Sequence, residues 1–72
     1  MRAYKIKIKN RWNADDFYFI VVARSADKAM EIATKEAAKR VSKHSINTTI
    51  PKLMSYMSIF TVEDIGEALL GL

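Results

Sequence analysis

The segment Tyr4-Lys5-Ile6-Lys7-Ile8-Lys9 alternates apolar and basic residues with a period of two, and no other regularity in the chain constrains its fold as much. Successive side chains of a strand point to opposite faces, so this pattern predicts a half-buried β-strand with Tyr4, Ile6 and Ile8 inward and three lysines outward. Such a strand needs neighbours. Asn10 to Asp16 breaks the alternation with Asn, Ala and paired Asp residues, as a hairpin loop does. Phe17-Tyr18-Phe19-Ile20-Val21-Val22-Ala23 then reads as a second strand, rich in aromatic and β-branched residues. It is apolar on both faces, so each face requires cover.

Ser25 follows as an N-cap, with Asp27 placed to suit the helix dipole. Residues 26–43 contain neither Gly nor Pro and are dominated by strong helix formers. At about 100° per residue, Ala26, Ala29, Met30, Ala33, Ala37 and Val41 form one stripe, and its four alanines imply a close approach of helix to sheet. The opposite side holds Lys28, Lys35, Lys39 and Lys43, with Glu31–Lys35 and Glu36–Arg40 at the spacing of surface ion pairs. Residues 45–52 form a loop in which Pro51 is also suited to opening a single helical turn through Leu53 and Met54. From Ser55 to Val62 the strand pattern returns, Tyr56, Ser58, Phe60 and Val62 falling on one face and Met57, Ile59 and Thr61 on the other. Asp64 resembles the cap of a short C-terminal helix over Ile65–Leu70, with an irregular tail as the alternative because of Gly66.

The expected fold is a single α+β domain spanning residues 1–72. It is a small two-layer sandwich of ββαβ order, a three-stranded, mainly antiparallel sheet with one main helix on one face. Strand order 2-1-3, the third strand antiparallel to the first, is favoured over a third strand parallel to the second. A chain of 72 residues buries only about 60% of the surface it exposes when unfolded, so a partner or self-association would help so thin a core.

The net charge of +4 is local in origin. Residues 1–11 carry Arg2, Lys5, Lys7, Lys9 and Arg11 with no acid, while the remainder totals −1. On the first strand, lysines at intervals of about 6.6–6.8 Å could follow a phosphate backbone, Arg2 and Arg11 extending the line. Neutralising five phosphates would give a slope of about −4.5 in log K against log salt. The bland reading is a solvated strand face on which lysines discourage aggregation.

Catalytic and metal roles find little support. His44 is the only histidine and there is no cysteine, so thiol chemistry and thiolate zinc sites are excluded and other transition-metal sites lack ligands. At a helix C-terminus His44 reads as a capping cation. Asp15 and Asp16 fit a turn, and the only glycines, Gly66 and Gly71, form no phosphate loop. The expectation is a protein with no catalytic residues, no metal, no cofactor and no small-molecule substrate. The longest apolar run has seven residues, too short for a signal sequence or membrane span, so no membrane role and a cytoplasmic location are expected.

The apolar surplus points instead to an interface. One helix covers one sheet face, and the other face should mix the lysines with either Phe17, Phe19 and Val21 or Tyr18, Ile20 and Val22, plus alternate residues of the third strand; Tyr18, Ile20, Val22, Met57 and Ile59 are the candidate apolar interface. Leu69, Leu70 and Leu72 could cover part of it. Trp12 beside Arg11 has the composition of an interface hot spot, with folding back on the sheet edge as the alternative. The candidate partner- or phosphate-binding set is therefore Arg2, Lys5, Lys7, Lys9, Arg11 and Trp12.

The stretch Val22-Ala23-Arg24-Ser25-Ala26-Asp27-Lys28-Ala29-Met30-Glu31-Ile32-Ala33 resembles a junction found in small phage and plasmid proteins, in which a strand ends in Ala-x-Ser and an Ala-rich helix packs back on the hairpin. With the strand-strand-helix-strand layout, residues 3–45 are similar to some small anti-CRISPR inhibitors. Those proteins share no motif, so no residue role carries over. The resemblance implies a stoichiometric inhibitor that binds a host defence complex without catalysis, in the host cytoplasm. Two other classes remain open: a small basic module binding nucleic-acid backbones, and a structural homodimer.

Overall fold

The alternating lysine strand is the centre of the sheet. In a computed structural model, which describes residues 1–43 and 48–67, β1 (Arg2–Asn10) is flanked by β2 (Phe17–Ala23) on one side and β3 (Met57–Glu67) on the other, both antiparallel. The strand order β2-β1-β3 is the one favoured from sequence. The main helix α1 (Ala26–Ser42) crosses one face and a short helix α2 (Ile50–Met54) packs beside it. Ser25 caps α1, its Oγ accepting from the Lys28 backbone N–H at 3.2 Å. Pro51 does open a helical turn: Thr49 caps α2, and Leu53 is fully buried.

The core lies between sheet and helices. Tyr4, Ile6 and Ile8 of β1 and Val21 and Ala23 of β2 meet Ala29, Ala33, Ala37, Ala38 and Val41 of α1, with Leu53 and Met57 completing the cluster. Ala29, Ala33, Ala37 and Ala38 are entirely buried and Ala26 partly so, as expected where a stripe without long side chains lets the helix approach closely. Among the described residues, no helix is long and apolar enough to cross a membrane.

β3 departs from expectation at both ends. It starts at Met57, because Ser55 closes α2 and Tyr56 lies in the turn that follows. It then runs on through Ile65, Gly66 and Glu67, where a helix was expected to begin. Pairing with Arg2 and Ala3 outweighs the local capping signal, and the Asp64 carboxylate accepts from the Gly66 backbone N–H at 3.0 Å instead of starting a helix. Residues 68–72, with Leu69, Leu70 and Leu72, lie outside the described residues, as does His44.

Two register shifts divide β3. Ile8 pairs with Ile59 but Lys7 with Thr61, leaving Phe60 as an extra residue; Tyr4 pairs with Asp64 but Ala3 with Gly66, leaving Ile65 extra. These are β-bulges, each setting two residues against one.

In the hairpin loop, Ala14 has φ 65°, the left-handed region that a Cβ disfavours. Ala14→Gly should therefore stabilise the fold by about 0.5–1 kcal/mol, the relief of strain exceeding the added chain entropy of glycine. A rise in Tm of several degrees in thermal unfolding by circular dichroism is the expected result, and no rise would show that the loop carries no such strain.

Candidate functional site: the open sheet face

The face of the sheet opposite α1 is built by alternation. Because Tyr4, Ile6 and Ile8 enter the core, Lys5, Lys7 and Lys9 must emerge on the other side, joined from β2 by Tyr18 and Ile20, which are 63% and 62% exposed, and by half-buried Val22. The β3 contribution corrects the sequence reading. Met57 and Ile59, expected on this open face, belong to the helix side, Met57 buried in the core and Ile59 packed against it. Their place is taken by Phe60, 57% exposed, and by Thr61. The bulge explains this: with Phe60 inserted opposite Lys7, both Ile59 and Val62 turn toward the core although they stand three positions apart, a spacing that strict alternation forbids.

The result is a row across three strands. The Lys7 ammonium lies 5.4 Å from the centroid of the Tyr18 ring and 5.0 Å from that of Phe60, and Lys9 lies 5.1 Å from Phe60. These are cation–π distances, so the rings hold the lysine positions while their outer surfaces stay open to solvent. A depression of about 310 Å³ beside the row is lined by Lys5, Lys7, Tyr18, Thr61 and Glu63. Glu63 stands opposite Lys5 in the register, and the Asp16 carboxylate is 3.9 Å from the Lys7 ammonium. Both acids temper the positive field. Phe60 and Glu63 were not among the candidate site residues from sequence; the alternation seen there already put Phe60 opposite Met57 and Ile59, but not which set faced out.

The remaining candidates lie apart from the row. Arg2 has the parity of Tyr4 rather than of the lysines, and its guanidinium is engaged by Asp64, Nε to Oδ2 at 2.6 Å. Arg11 bends toward the α2–β3 turn, its backbone N–H donating to the Tyr56 carbonyl at 3.0 Å and its Nη2 to the Ser55 carbonyl at 3.4 Å. Neither arginine extends the lysine line. Trp12 folds back: its ring meets Tyr56 edge-on at 5.0 Å and its backbone N–H donates to the buried Asn10 Oδ1 at 2.9 Å. Asn10 also donates to Asn13 Oδ1, which organises the loop that Trp12 closes.

The Arg2–Asp64 pair has a signature in acid. The hydrogen bond from Arg2, and then that from the Gly66 N–H, hold the Asp64 carboxyl below the usual carboxylate range, while the Arg2 pKa is raised by the same bond. A depressed folded-state pKa contributes stability that is present above the unfolded value and is lost as pH falls through the folded one. In a carbon-detected NMR titration Asp64 should titrate below the free-chain carboxyl, and Arg2→Gln should move it upward; an unmoved Asp64 would dissolve the pairing. Both groups are half exposed, so the effect on stability is small.

Among the described residues, no group of three or more His, Asp or Glu side chains is placed to hold a metal ion. No protein-family model matches the chain, and no curated protein sequence and no solved structure matches it.

Proposed function

We propose that this chain is a non-enzymatic binding protein that acts by stoichiometric contact, docking its open sheet face on an acidic surface of another protein. The observation that carries the reading is the row Tyr18–Lys7–Phe60. It combines large exposed apolar area with fixed positive charge, the composition of an interface core with a basic rim. The resemblance of the strand–helix junction to phage inhibitors extends the proposal to a host defence complex as the target, in the host cytoplasm. The test is affinity capture from a bacterial lysate with the wild-type chain and with a Tyr18→Ala/Phe60→Ala variant. A protein recovered in one-to-one ratio by the first and lost by the second supports the reading, and recovery of none, or equal recovery by both, overturns it.

A second reading is single-stranded nucleic acid, favoured by two exposed rings on which bases could stack beside three lysines. With Arg2 and Arg11 engaged elsewhere, three phosphate contacts predict a slope of about −2 in log K against log salt, far shallower than five duplex contacts. Fluorescence anisotropy of a labelled oligothymidine at two salt concentrations decides it, since binding that is absent or indifferent to salt removes this reading.

A further inference from the structure

The two edges of the sheet are unlike. The outer edge belonging to β3 is interrupted by two bulges and carries Glu63, Asp64 and Glu67, the devices that keep an edge from pairing. The outer edge belonging to β2 has none of them. Phe17–Ala23 contains no charge and no proline, and pairs with β1 in unbroken register from Phe17 to Ala23. Among the described residues no strand pairs with its outer side. A straight, neutral, apolar edge is a template for one more strand.

We infer that this edge is an interaction surface for a second copy of the chain, β2 pairing antiparallel with itself around a two-fold axis through Ile20 to give one continuous six-stranded sheet. Directly opposed residues must share a face, so the two residue numbers in each pair must sum to an even number. With Ile20 opposite Ile20, all seven residues of β2 are paired. Tyr18 then faces Val22 and Phe19 faces Val21, aromatic against β-branched, while Phe17 faces Ala23, so each aromatic side chain meets a smaller one. The same register sets Asp16 opposite Arg24 at both ends of the strand. Both residues are exposed in the single chain, and no other same-face register brings them together. Charge complementarity therefore selects this pairing, through Arg24, which is outside the Tyr18–Lys7–Phe60 row, and Asp16, whose carboxylate is 3.9 Å from the Lys7 ammonium.

Light scattering and sedimentation from about 1 μM to 1 mM should show a concentration-dependent doubling of mass. Asp16→Arg or Arg24→Asp alone sets like charges face to face twice per dimer and should weaken association about tenfold. The double change Asp16→Arg/Arg24→Asp restores complementarity and should recover it. Ile20→Lys, at a position already exposed, should give a folded monomer, with circular dichroism confirming the fold. A chain monomeric throughout, or a dimer indifferent to these changes, overturns the inference. Asp16 lies 3.9 Å from the Lys7 ammonium, so Arg24→Asp, outside the Tyr18–Lys7–Phe60 row, is the change that separates this inference from the proposed function, and both outcomes with it leave that function standing.

Discussion

Leu53→Ala should lower the stability of the protein by about 2–5 kcal/mol, the range for emptying a fully buried leucine site. The total stability of a chain of this length is about 4–11 kcal/mol, so this one side chain decides whether the fold survives physiological temperature. Its importance comes from geometry. α2 has only five residues, too few to hold themselves helical, and Leu53 is its one buried side chain. The damage should spread, because the Tyr56 N–H donates to the Leu53 carbonyl at 3.0 Å and Tyr56 carries Trp12 on its ring edge. Urea denaturation followed by fluorescence of the single tryptophan should show a lower midpoint, whereas Leu53→Met, which keeps the volume, should cost less than about 1.5 kcal/mol. Equal midpoints for the alanine variant and the wild type would remove α2 from the core.

Truncating both rings of the row, Tyr18→Ala with Phe60→Ala, should weaken binding to the captured partner by about 30- to 1000-fold while leaving the fold intact. Exposed aromatic anchors at interfaces contribute about 1–2 kcal/mol each when buried by a partner, and the two act here on opposite flanks of the same lysine. Neither ring belongs to the core, so unfolding midpoints should change little. Lys7→Gln tests the charge between them and should cost less than the double truncation, because the rings would still bury their area. Titration calorimetry separates these outcomes, and an affinity untouched by loss of both rings would move the interface off this face.

Much of this architecture was legible because the residues that encode it are local. The period-two pattern of Tyr4–Lys9, the apolar run Phe17–Ala23, the Ser25 cap and the alanine stripe of α1 each specify an element within a few residues, and the structure shows each of them. The faces of β3 were not legible in the same way. Alternation assigns Met57 and Ile59 to one side and Val62 to the other, and only the pairing with Lys7 and Ile8 reveals that Phe60 is inserted between them. Arg2 shows the same limit. It reads as an extension of the lysine line until the register brings Asp64, 62 residues away in sequence, beside it. The lysines and Tyr18 were recognisable from sequence as candidates for the open face, whereas their partner ring on β3 depended on a bulge that only tertiary pairing specifies.

The bulges of β3 also set the valence of the molecule. A subunit with two bare sheet edges is divalent, and pairing edge to edge then propagates as chain growth, ending in ribbons. Here Phe60 and Ile65 buckle one edge and three acids line it, leaving a single adhesive side. In the proposed dimer one encounter consumes that side, so assembly would terminate at two subunits instead of polymerising. Phe60, the residue inserted at that bulge, would thus serve the proposed dimer as a chain terminator as well.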